Sequence, residues 1–489
     1  MKLIISFFLA CLTLSASAFS ADLPPAVREA LRRANIPLAS VGIVVHEINA
    51  PEALIQINAK QSMNPASTIK LLTTYAALEM LGPAYTWRTE AYLDGKLENG
   101  VLDGNLIIKG YGNPKINSEH LWLWLRELRN RGLREIRGDL ILDRTSFALQ
   151  ENDPAAFDND PARAYNVGPD ALLLNFNALR MRFIPENGKV TVFTEPALAG
   201  ITLDNRLILK TQRNCRDWDG NIQVQLTSTD NIIRVQGTYP MLCGERDKYI
   251  SLLPHARYFD AVFRSLWQEI GGTLNGSTRD SAAPASAVLF STQYSQPLSE
   301  IIRDINKFSN NVMTRQVFLS LSLNKEAPTE NIPPIASRVE GMQTNGSSPP
   351  ASVSQSEAVL RSWVAKKGYD FPELVLENGA GLSRKERISP GNLALLLQDI
   401  QRSPFSAEIV ASLPIVCVDG TMKKRHDNCA VTTHGHFKTG SLEGVKSVAG
   451  YLHSRSGKQW ILVFIINHHY ASLGQQAQDE LIAWMEKSL

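Results

Sequence analysis

Residues 64–74 read NPASTIKLLTT and open a segment whose apolar residues surround the predicted helix axis on every side. Such a pattern predicts a helix that is buried all round rather than amphipathic. Pro65 and Ser67 favour a helix start, and residues three apart share one face, so we expect the Ser67 hydroxyl and the Lys70 amine to meet. Burial favours a neutral lysine, and a neutral amine can take a proton from a hydroxyl. Ser67 is therefore a candidate nucleophile and Lys70 its candidate base.

The Ser-x-x-Lys pattern has a simpler interpretation, in which a capped helix carries a lysine that extends to the surface. The same pattern recurs at Ser322 and Lys325, where we predict no such helix. The motif alone therefore does not establish catalysis, and it needs partners elsewhere in the chain.

The composition is that of an ordinary globular protein, with 489 residues of which 44% are hydrophobic and 20% charged. This length has room for two to four domains. A formal net charge of +2 gives no argument for nucleic acid as a partner. Residues 1–18 combine Lys2, an apolar run and small residues up to Ala18, which is typical of a cleaved secretory signal peptide. No later apolar run is long enough to cross a bilayer, so we expect a periplasmic protein without a transmembrane anchor. The oligomeric state is not predicted.

The cysteines fit an oxidising compartment. Removal of Cys11 with the signal peptide leaves Cys215, Cys243, Cys417 and Cys429, which allow three pairings. Proximity in sequence favours the pairs Cys215–Cys243 and Cys417–Cys429. A zinc site is the disfavoured alternative, because no Cys-x-x-Cys spacing occurs. We predict no metal and no cofactor.

The two ends of the chain together predict one α+β domain. Residues 39–48 have the composition of a strand, and 53–57 form its expected hairpin partner. Three further strands with short connections are predicted at 437–441, 447–453 and 460–467, ahead of a terminal helix. Short connections between successive strands predict an antiparallel sheet.

The middle of the chain has a different character. Strand, helix and strand patterns at 105–109, 118–130 and 139–143 predict a β-α-β unit. Short alternating stretches between 190 and 239 predict a small all-β piece. The predicted organisation is a signal peptide at 1–18, the α+β domain at 19–92 and 285–489, an inserted α/β domain at 93–193 and 246–284, and a nested small β domain at 194–245.

Two further motifs accompany the first. The sequence Ser309-Asn310-Asn311 follows an amphipathic segment at 298–308, and Lys438-Thr439-Gly440 opens the first of the late strands. Each is weak alone, since Ser-x-Asn also occurs elsewhere in the chain. The order and spacing of all three are the signature of serine penicillin-recognising enzymes.

The chain resembles the D-alanyl-D-alanine carboxypeptidases of the S13 peptidase family, the class C low-molecular-mass penicillin-binding proteins. The resemblance is carried by a long insert between the first and second motifs and by the sequences NGAGLSR at 378–384 and VDGT at 418–421. It covers nearly the whole mature chain. It implies a penicillin-binding transpeptidase/β-lactamase-like fold, an antiparallel sheet flanked by helices, split by the insert.

The resemblance also implies roles for the motif residues. Ser67 would attack the penultimate D-Ala carbonyl of a peptidoglycan stem peptide, with Lys70 as its base. Ser309 and Lys438 would relay a proton to the departing amine, and Asn311 would hold the substrate amide. The oxyanion would be held by backbone N–H groups, which cannot be read from sequence. β-Lactams, as mimics of D-Ala-D-Ala, would stop at the acyl stage.

Substrate-binding residues of two kinds follow from the same resemblance. Those expected to bind the terminal carboxylate are Thr439, Gly440 and Ser441. In this family a pocket also reads the diaminopimelyl side chain, and the matching positions are Asp160, Tyr165 and Arg384. An arginine suits a carboxylate, and an aspartate suits an ammonium group. Glu443 departs from the family pattern, where we expect glutamine, and the loop at 326–356 is longer than expected.

Alternative functions stay open. The main one from another class is a non-catalytic cell-wall binding or scaffold protein that keeps this fold, although binding alone would not need both a nucleophile and its base. Among enzymes, a carboxypeptidase and an endopeptidase that cleaves D-Ala-diaminopimelate crosslinks share one acyl-enzyme. A β-lactamase is disfavoured, because we identify no deacylating glutamate.

Overall fold

The computed structural model describes residues 22–148, 153–211, 214–227, 231–323, 349–425 and 434–489. The predicted signal peptide, most of the long loop at 326–356 and the predicted partner cysteine Cys429 lie outside the described residues. Within those ranges, no helix has the length and apolarity that a membrane crossing requires.

The strands and helices are numbered in chain order. The strands are β1 (Val41–Glu47), β2 (Ile55–Ile57), β3 (Arg88–Glu98), β4 (Val101–Gly110), β5 (Glu135–Ile136), β6 (Leu140–Asp143), β7 (Leu179–Glu186), β8 (Lys189–Glu195), β9 (Thr202–Lys210), β10 (Ile222–Thr227), β11 (Ile232–Pro240), β12 (Arg246–Ile250), β13 (Thr273–Leu274), β14 (Thr278–Asp280), β15 (Val288–Tyr294), β16 (Gly435–Leu442), β17 (Val445–His453) and β18 (Gln459–Asn467). The α-helices are α1 (Pro25–Arg33), α2 (Lys70–Leu81), α3 (Ser118–Asn130), α4 (His255–Glu269), α5 (Leu298–Phe308), α6 (Asn311–Leu323), α7 (Val353–Lys366), α8 (Pro390–Arg402), α9 (Ser406–Ser412) and α10 (Gln475–Ser488).

Strands from both ends of the chain form one five-stranded antiparallel sheet, in the order β16-β17-β18-β1-β2. The predicted hairpin after β1 and the predicted antiparallel pairing of the three late strands are confirmed. Side chains alternate across β1, so that Val44 packs on one face of the sheet while Val41, Ile43 and Val45 pack on the other. Both faces of this sheet are therefore covered by apolar side chains.

Helices α2, α5, α6, α7, α8 and α9 contribute to the core on the first face, and α1 and α10 pack together on the second. Helix α2 is the central helix of the first group. Ten of its twelve residues are buried, which confirms the predicted all-round burial. The free energy of folding gained here comes mainly from apolar burial rather than from helix propensity.

A second sheet of seven strands contains β3, β4, β5, β6, β13, β14 and β15. Strands β4 and β6 are parallel and α3 connects them, so the predicted β-α-β unit is confirmed. Strand β3 pairs with both β4 and β15. The predicted boundary after residue 92 therefore falls within a strand of this sheet. The other predicted boundary, at residue 285, assigns β15 to the α+β domain, although β15 belongs to this second sheet. The division into domains stays a prediction.

Two three-stranded sheets complete the middle of the chain, with the orders β12-β7-β8 and β10-β11-β9. The second lies within the segment predicted as the nested β domain. A disulfide joins Cys215 to Cys243, as predicted.

One local prediction is wrong. Ser322 lies in α6 and is buried, whereas we predicted no buried helix around the second Ser-x-x-Lys pattern. Its hydroxyl donates to the carbonyl oxygen of Leu319 at 2.9 Å, so this serine is satisfied within its own helix.

Candidate active site

The backbone before α2 places Ser67. Ser67 lies in a short 3-10 helix (Ala66–Ile69), and α2 begins at Lys70. The side chain of Asn64 accepts a hydrogen bond from the Ala66 N–H at 2.8 Å, and Ala66 has a positive φ of 45°. The Thr68 hydroxyl donates to the Pro65 carbonyl oxygen at 2.8 Å. These bonds fix the turn by which the chain enters α2.

Lys70 is fully buried and contacts the proposed nucleophile directly. Its Nζ lies 2.9 Å from Ser67 Oγ and 2.8 Å from Asn311 Oδ1, and it also donates to the carbonyl oxygen of Ala380. Burial holds the pKa of Lys70 well below its usual value, and the positive charge of Lys438 lowers it further. A lysine with a lowered pKa can serve as a base at neutral pH.

Ser309 and Lys438 form a second pair. Ser309 adopts a left-handed conformation, with φ of 57°, where α5 ends. Lys438 is fully buried on β16, and its Nζ donates to Ser309 Oγ at 2.8 Å and to the Thr439 carbonyl oxygen at 2.7 Å. Burial lowers the pKa of Lys438 to about 7. Such an amine can both hold and release a proton near neutral pH.

Strand β16 lies directly against the Ser67 turn. A Cβ atom on Gly440 would lie 2.9 Å from Ser67 N and 2.8 Å from the Pro65 carbonyl oxygen, so only glycine fits there. The Ser447 hydroxyl donates to the same Pro65 oxygen at 2.6 Å. The neighbouring Ser441 side chain is exposed. The strand therefore runs past the nucleophile at close range.

Thr439 contacts Thr421, the last residue of the VDGT motif. Its hydroxyl donates to Thr421 Oγ1 at 2.6 Å. The loop that carries Thr421 is held by Asp419, which forms a 2.7 Å ion pair with the buried Lys307. Burial alone would raise the pKa of Asp419, but hydrogen bonds from the Ile415 N–H and Lys307 lower it.

The three residues predicted to read a diaminopimelyl side chain are each engaged with protein groups. Asp160 accepts from Arg163 Nε at 2.8 Å, and the Tyr165 hydroxyl donates to Asp158. The main-chain oxygen of Tyr165 accepts from Asn311 Nδ2 at 3.3 Å, which brings this loop to the site.

Arg384 lies across from the end of β16. It donates to the Glu443 carbonyl oxygen at 2.9 Å and to Glu443 Oε2 at 3.0 Å, and its guanidinium lies 4.9 Å from the centre of the Phe157 ring. A cleft of about 490 Å³ is lined by Phe157, Asn166, Arg315 and Arg384 among others. The unexpected glutamate at position 443 thus has a defined partner.

Sequence reasoning missed Asp158 and Glu386, and it gave no role to Thr421 although the VDGT motif contains that residue. Asp158 accepts hydrogen bonds from Arg163, Tyr165 and Asn166. Glu386 is fully buried beside the segment that contacts Lys70. Nothing in the local sequence of Glu386 marks it, because its partners are backbone N–H groups.

The arrangement suits acyl transfer. A serine hydroxyl lies beside a buried amine of low pKa, and a second serine hydroxyl, that of Ser309, is bonded to the buried amine of Lys438. Among the residues that the structure describes, no group of three or more His, Cys, Asp or Glu side chains is placed to hold a metal ion.

Comparisons with known proteins identify the family. The sequence profile of the D-Ala-D-Ala carboxypeptidase 3 (S13) family matches residues 23–332 and 335–488. D-alanyl-D-alanine carboxypeptidase DacB of Haemophilus influenzae is 24% identical over 433 residues, which cover 88% of this chain and 85% of the relative. A D-alanyl-D-alanine carboxypeptidase of Actinomadura sp. is 25% identical over 463 residues, which cover 90% and 80%.

Solved structures share the fold. The crystal structure of penicillin-binding protein 4 from Haemophilus influenzae superposes with a TM-score of 0.74 at 23% identity and covers 93% of this chain and 98% of that one. A predatory peptidoglycan endopeptidase from Bdellovibrio bacteriovorus superposes with a TM-score of 0.51 at 13% identity and covers 92% and 94%.

Proposed function

Because this chain belongs to the D-Ala-D-Ala carboxypeptidase 3 (S13) family of serine peptidases, we propose that it acts on peptidoglycan through an acyl-enzyme on Ser67. The substrates are stem peptides that end in D-Ala-D-Ala, crosslinks between D-Ala and diaminopimelate, or both. The observation that carries the proposal is the 2.9 Å contact between Ser67 Oγ and the buried amine of Lys70.

Acylation begins when Lys70 takes the proton of Ser67. Ser67 Oγ then bonds to the D-Ala carbonyl carbon, and the carbonyl oxygen becomes an oxyanion. We assign the backbone N–H groups of Ser67 and Ser441 to that oxyanion. When the intermediate collapses, the C–N bond breaks, and the departing amine receives a proton from Lys438 through the Ser309 hydroxyl. Water then attacks the ester and gives a proton back to Lys438 through Ser309. When the ester bond breaks, Ser67 Oγ takes the proton that Lys70 holds, which releases the shortened peptide and restores both amines.

The leaving group accounts for both substrate classes. A terminal D-Ala and the diaminopimelate of a crosslink each place a carboxylate next to the departing amine. Thr439, Gly440 and Ser441 would receive this carboxylate, with charge from Lys438. Asn311 would hold the substrate amide, and its side chain already lies 2.8 Å from Lys70 Nζ.

Asp160, Tyr165 and Arg384 would bind the diaminopimelyl side chain. In the structure, Arg384 pairs with Glu443 at 3.0 Å, and both side chains are exposed. An exposed ion pair contributes little free energy, so a substrate carboxylate could replace Glu443 at low cost. The protein would work in the periplasm, after removal of the predicted signal peptide.

The first experiment is labelling with a fluorescent penicillin, followed by mass spectrometry of the adduct. We expect one label, on Ser67, and none on Ser67→Ala. Ser62→Ala is the matched control, since Ser62 is an exposed serine on the approach to the same turn. A related penicillin-binding protein 4 structure was solved with a β-lactam, which supports the choice of probe. Label on another residue, or full labelling of Ser67→Ala, would refute the mechanism.

Digestion of purified muropeptides separates the activities. Loss of D-Ala from pentapeptides indicates a carboxypeptidase, and splitting of crosslinked dimers indicates an endopeptidase. A wild-type protein that binds peptidoglycan but neither takes the label nor cleaves either substrate would be the non-catalytic scaffold.

A further inference from the structure

We propose that Glu386 is a positioning residue whose carboxylate balances the charge that Lys70 acquires when it takes the proton from Ser67. This inference rests on the proposed role of Lys70 as base. Glu386 touches neither Ser67 nor the predicted substrate positions, so it would act through Lys70.

The geometry connects Glu386 to Lys70 through one turn of backbone. Glu386 Oε1 accepts the N–H groups of Glu377 at 3.2 Å, Asn378 at 2.9 Å and Gly379 at 3.0 Å. The next residue is Ala380, whose carbonyl oxygen accepts a hydrogen bond from Lys70 Nζ. The carboxylate thus holds the turn that delivers this carbonyl to the lysine.

The hydrogen bonds favour an ionised carboxylate. Three backbone N–H donors on one oxygen stabilise the charged form. A neutral carboxyl would carry its proton on Oε2, and Oε2 has no hydrogen-bond partner among the residues that the structure describes. Burial has the largest effect and keeps the pKa of Glu386 above its usual value, although these N–H groups and the nearby Lys70 charge oppose that rise.

Two positive charges oppose the effect of Glu386 on Lys70. Among the described residues, Lys438 and Arg315 lower the pKa of Lys70, and Glu386 raises it. Proton transfer from Ser67 therefore adds a positive charge to a buried site that already holds two basic side chains. The negative charge of Glu386 offsets this cost, because opposite charges interact strongly in a buried environment.

The test is the pH dependence of penicillin acylation in Glu386→Gln. Glutamine keeps an oxygen for the backbone N–H groups but removes the charge. We expect the acidic limb of the acylation rate to move to lower pH by on the order of one pH unit, because Lys70 loses its proton more easily. The plateau rate should fall about tenfold, because the amine becomes a weaker base.

Two variants control for structure. Glu373→Gln makes the same change in a half-buried glutamate that also accepts a backbone N–H, from Ser389, and it should leave the limb in place. Glu386→Asp keeps the charge, so its limb should stay at the wild-type pH even if its melting temperature falls. An unmoved limb in a folded Glu386→Gln would overturn the inference. If Glu386→Gln does not fold, the decision rests on Glu386→Asp. A shift in the pH of its acidic limb overturns the inference, and an acidic limb at the wild-type pH supports it. Labelling of Ser67→Ala would instead refute the proposed function.

Discussion

Two buried lysines dominate the chemistry at the scale of single residues. Lys70 and Lys438 are both fully buried, and burial lowers the pKa of each. A charged lysine inside a protein is costly, so such residues occur where their chemistry is needed. The lowered pKa values that make the two amines useful also have a consequence for stability.

We predict that the protein becomes more stable as the pH rises from about 7 towards the usual pKa of lysine. In this window an unfolded lysine binds a proton, whereas folded Lys438, with a pKa of about 7, does not. The unfolded state then binds more protons, so the unfolding free energy rises with pH, by up to about 1.4 kcal/mol per pH unit for one lysine. Urea denaturation at a series of pH values measures this slope.

Substitution of one buried lysine tests the prediction, and substitution of one exposed lysine is its control. Lys438→Met should flatten the slope, because it removes one of the titrating groups. Lys458→Met should leave the slope unchanged, because Lys458 is about half exposed and pairs with Glu47 at the surface. Equal slopes in the wild type and in Lys438→Met would contradict the prediction.

At the scale of elements, the sequence predicted which segments form helices and strands better than where they begin. The strong apolar pattern of α2 predicted its burial, but not the 3-10 turn that holds Ser67 just before the helix starts. The approach of Gly381 to that turn was not predictable either. It depends on contacts between segments that are far apart in the chain, which no local pattern encodes.

Substitution of Gly381 tests how closely its segment must pack against the Ser67 turn. It has a φ of 80°, and an added Cβ would lie 2.7 Å from Ser67 N and closer still to the Ala66 carbonyl oxygen. Gly381→Ala should therefore shift the Ser67 turn and slow penicillin acylation about 100-fold, since small displacements of reacting groups cost this much. Stopped-flow labelling measures the rate.

Gly188→Ala is the matched control for backbone strain. Gly188 has a similar φ of 75°, but an added Cβ would meet nothing within 4 Å. In both variants the free energy of unfolding should fall by about 1 to 2 kcal/mol, because alanine is strained in the left-handed conformation. If Gly188→Ala slowed acylation as much as Gly381→Ala, strain rather than displacement of Ser67 would be the cause.

At the scale of the whole molecule, the middle of the chain meets the active site through the loop that carries Tyr165 and Asp170. Gln316 of α6 accepts the Asp170 N–H at 3.0 Å and donates to the Asp170 carbonyl oxygen at 2.7 Å. Asn311, at the start of α6, donates to the Tyr165 carbonyl oxygen. The sequence motifs predicted side chains that the structure brings together, but this docking depends on through-space contacts that the motifs do not describe.

The disulfide lies in a different part of the chain from that docking loop, so its removal should affect stability more than catalysis. Cys215 and Cys243 are 28 residues apart in sequence and lie in the segment predicted as a nested β domain. Replacing both with alanine should lower the free energy of unfolding by about 3 kcal/mol, because the unfolded segment gains conformational entropy. We expect a lower melting transition for this segment while the penicillin acylation rate changes less than about twofold, since no proposed catalytic residue lies in it. Scanning calorimetry and labelling kinetics on the same preparation measure the two effects. A parallel loss of acylation would mean that the segment and the active site unfold as one unit.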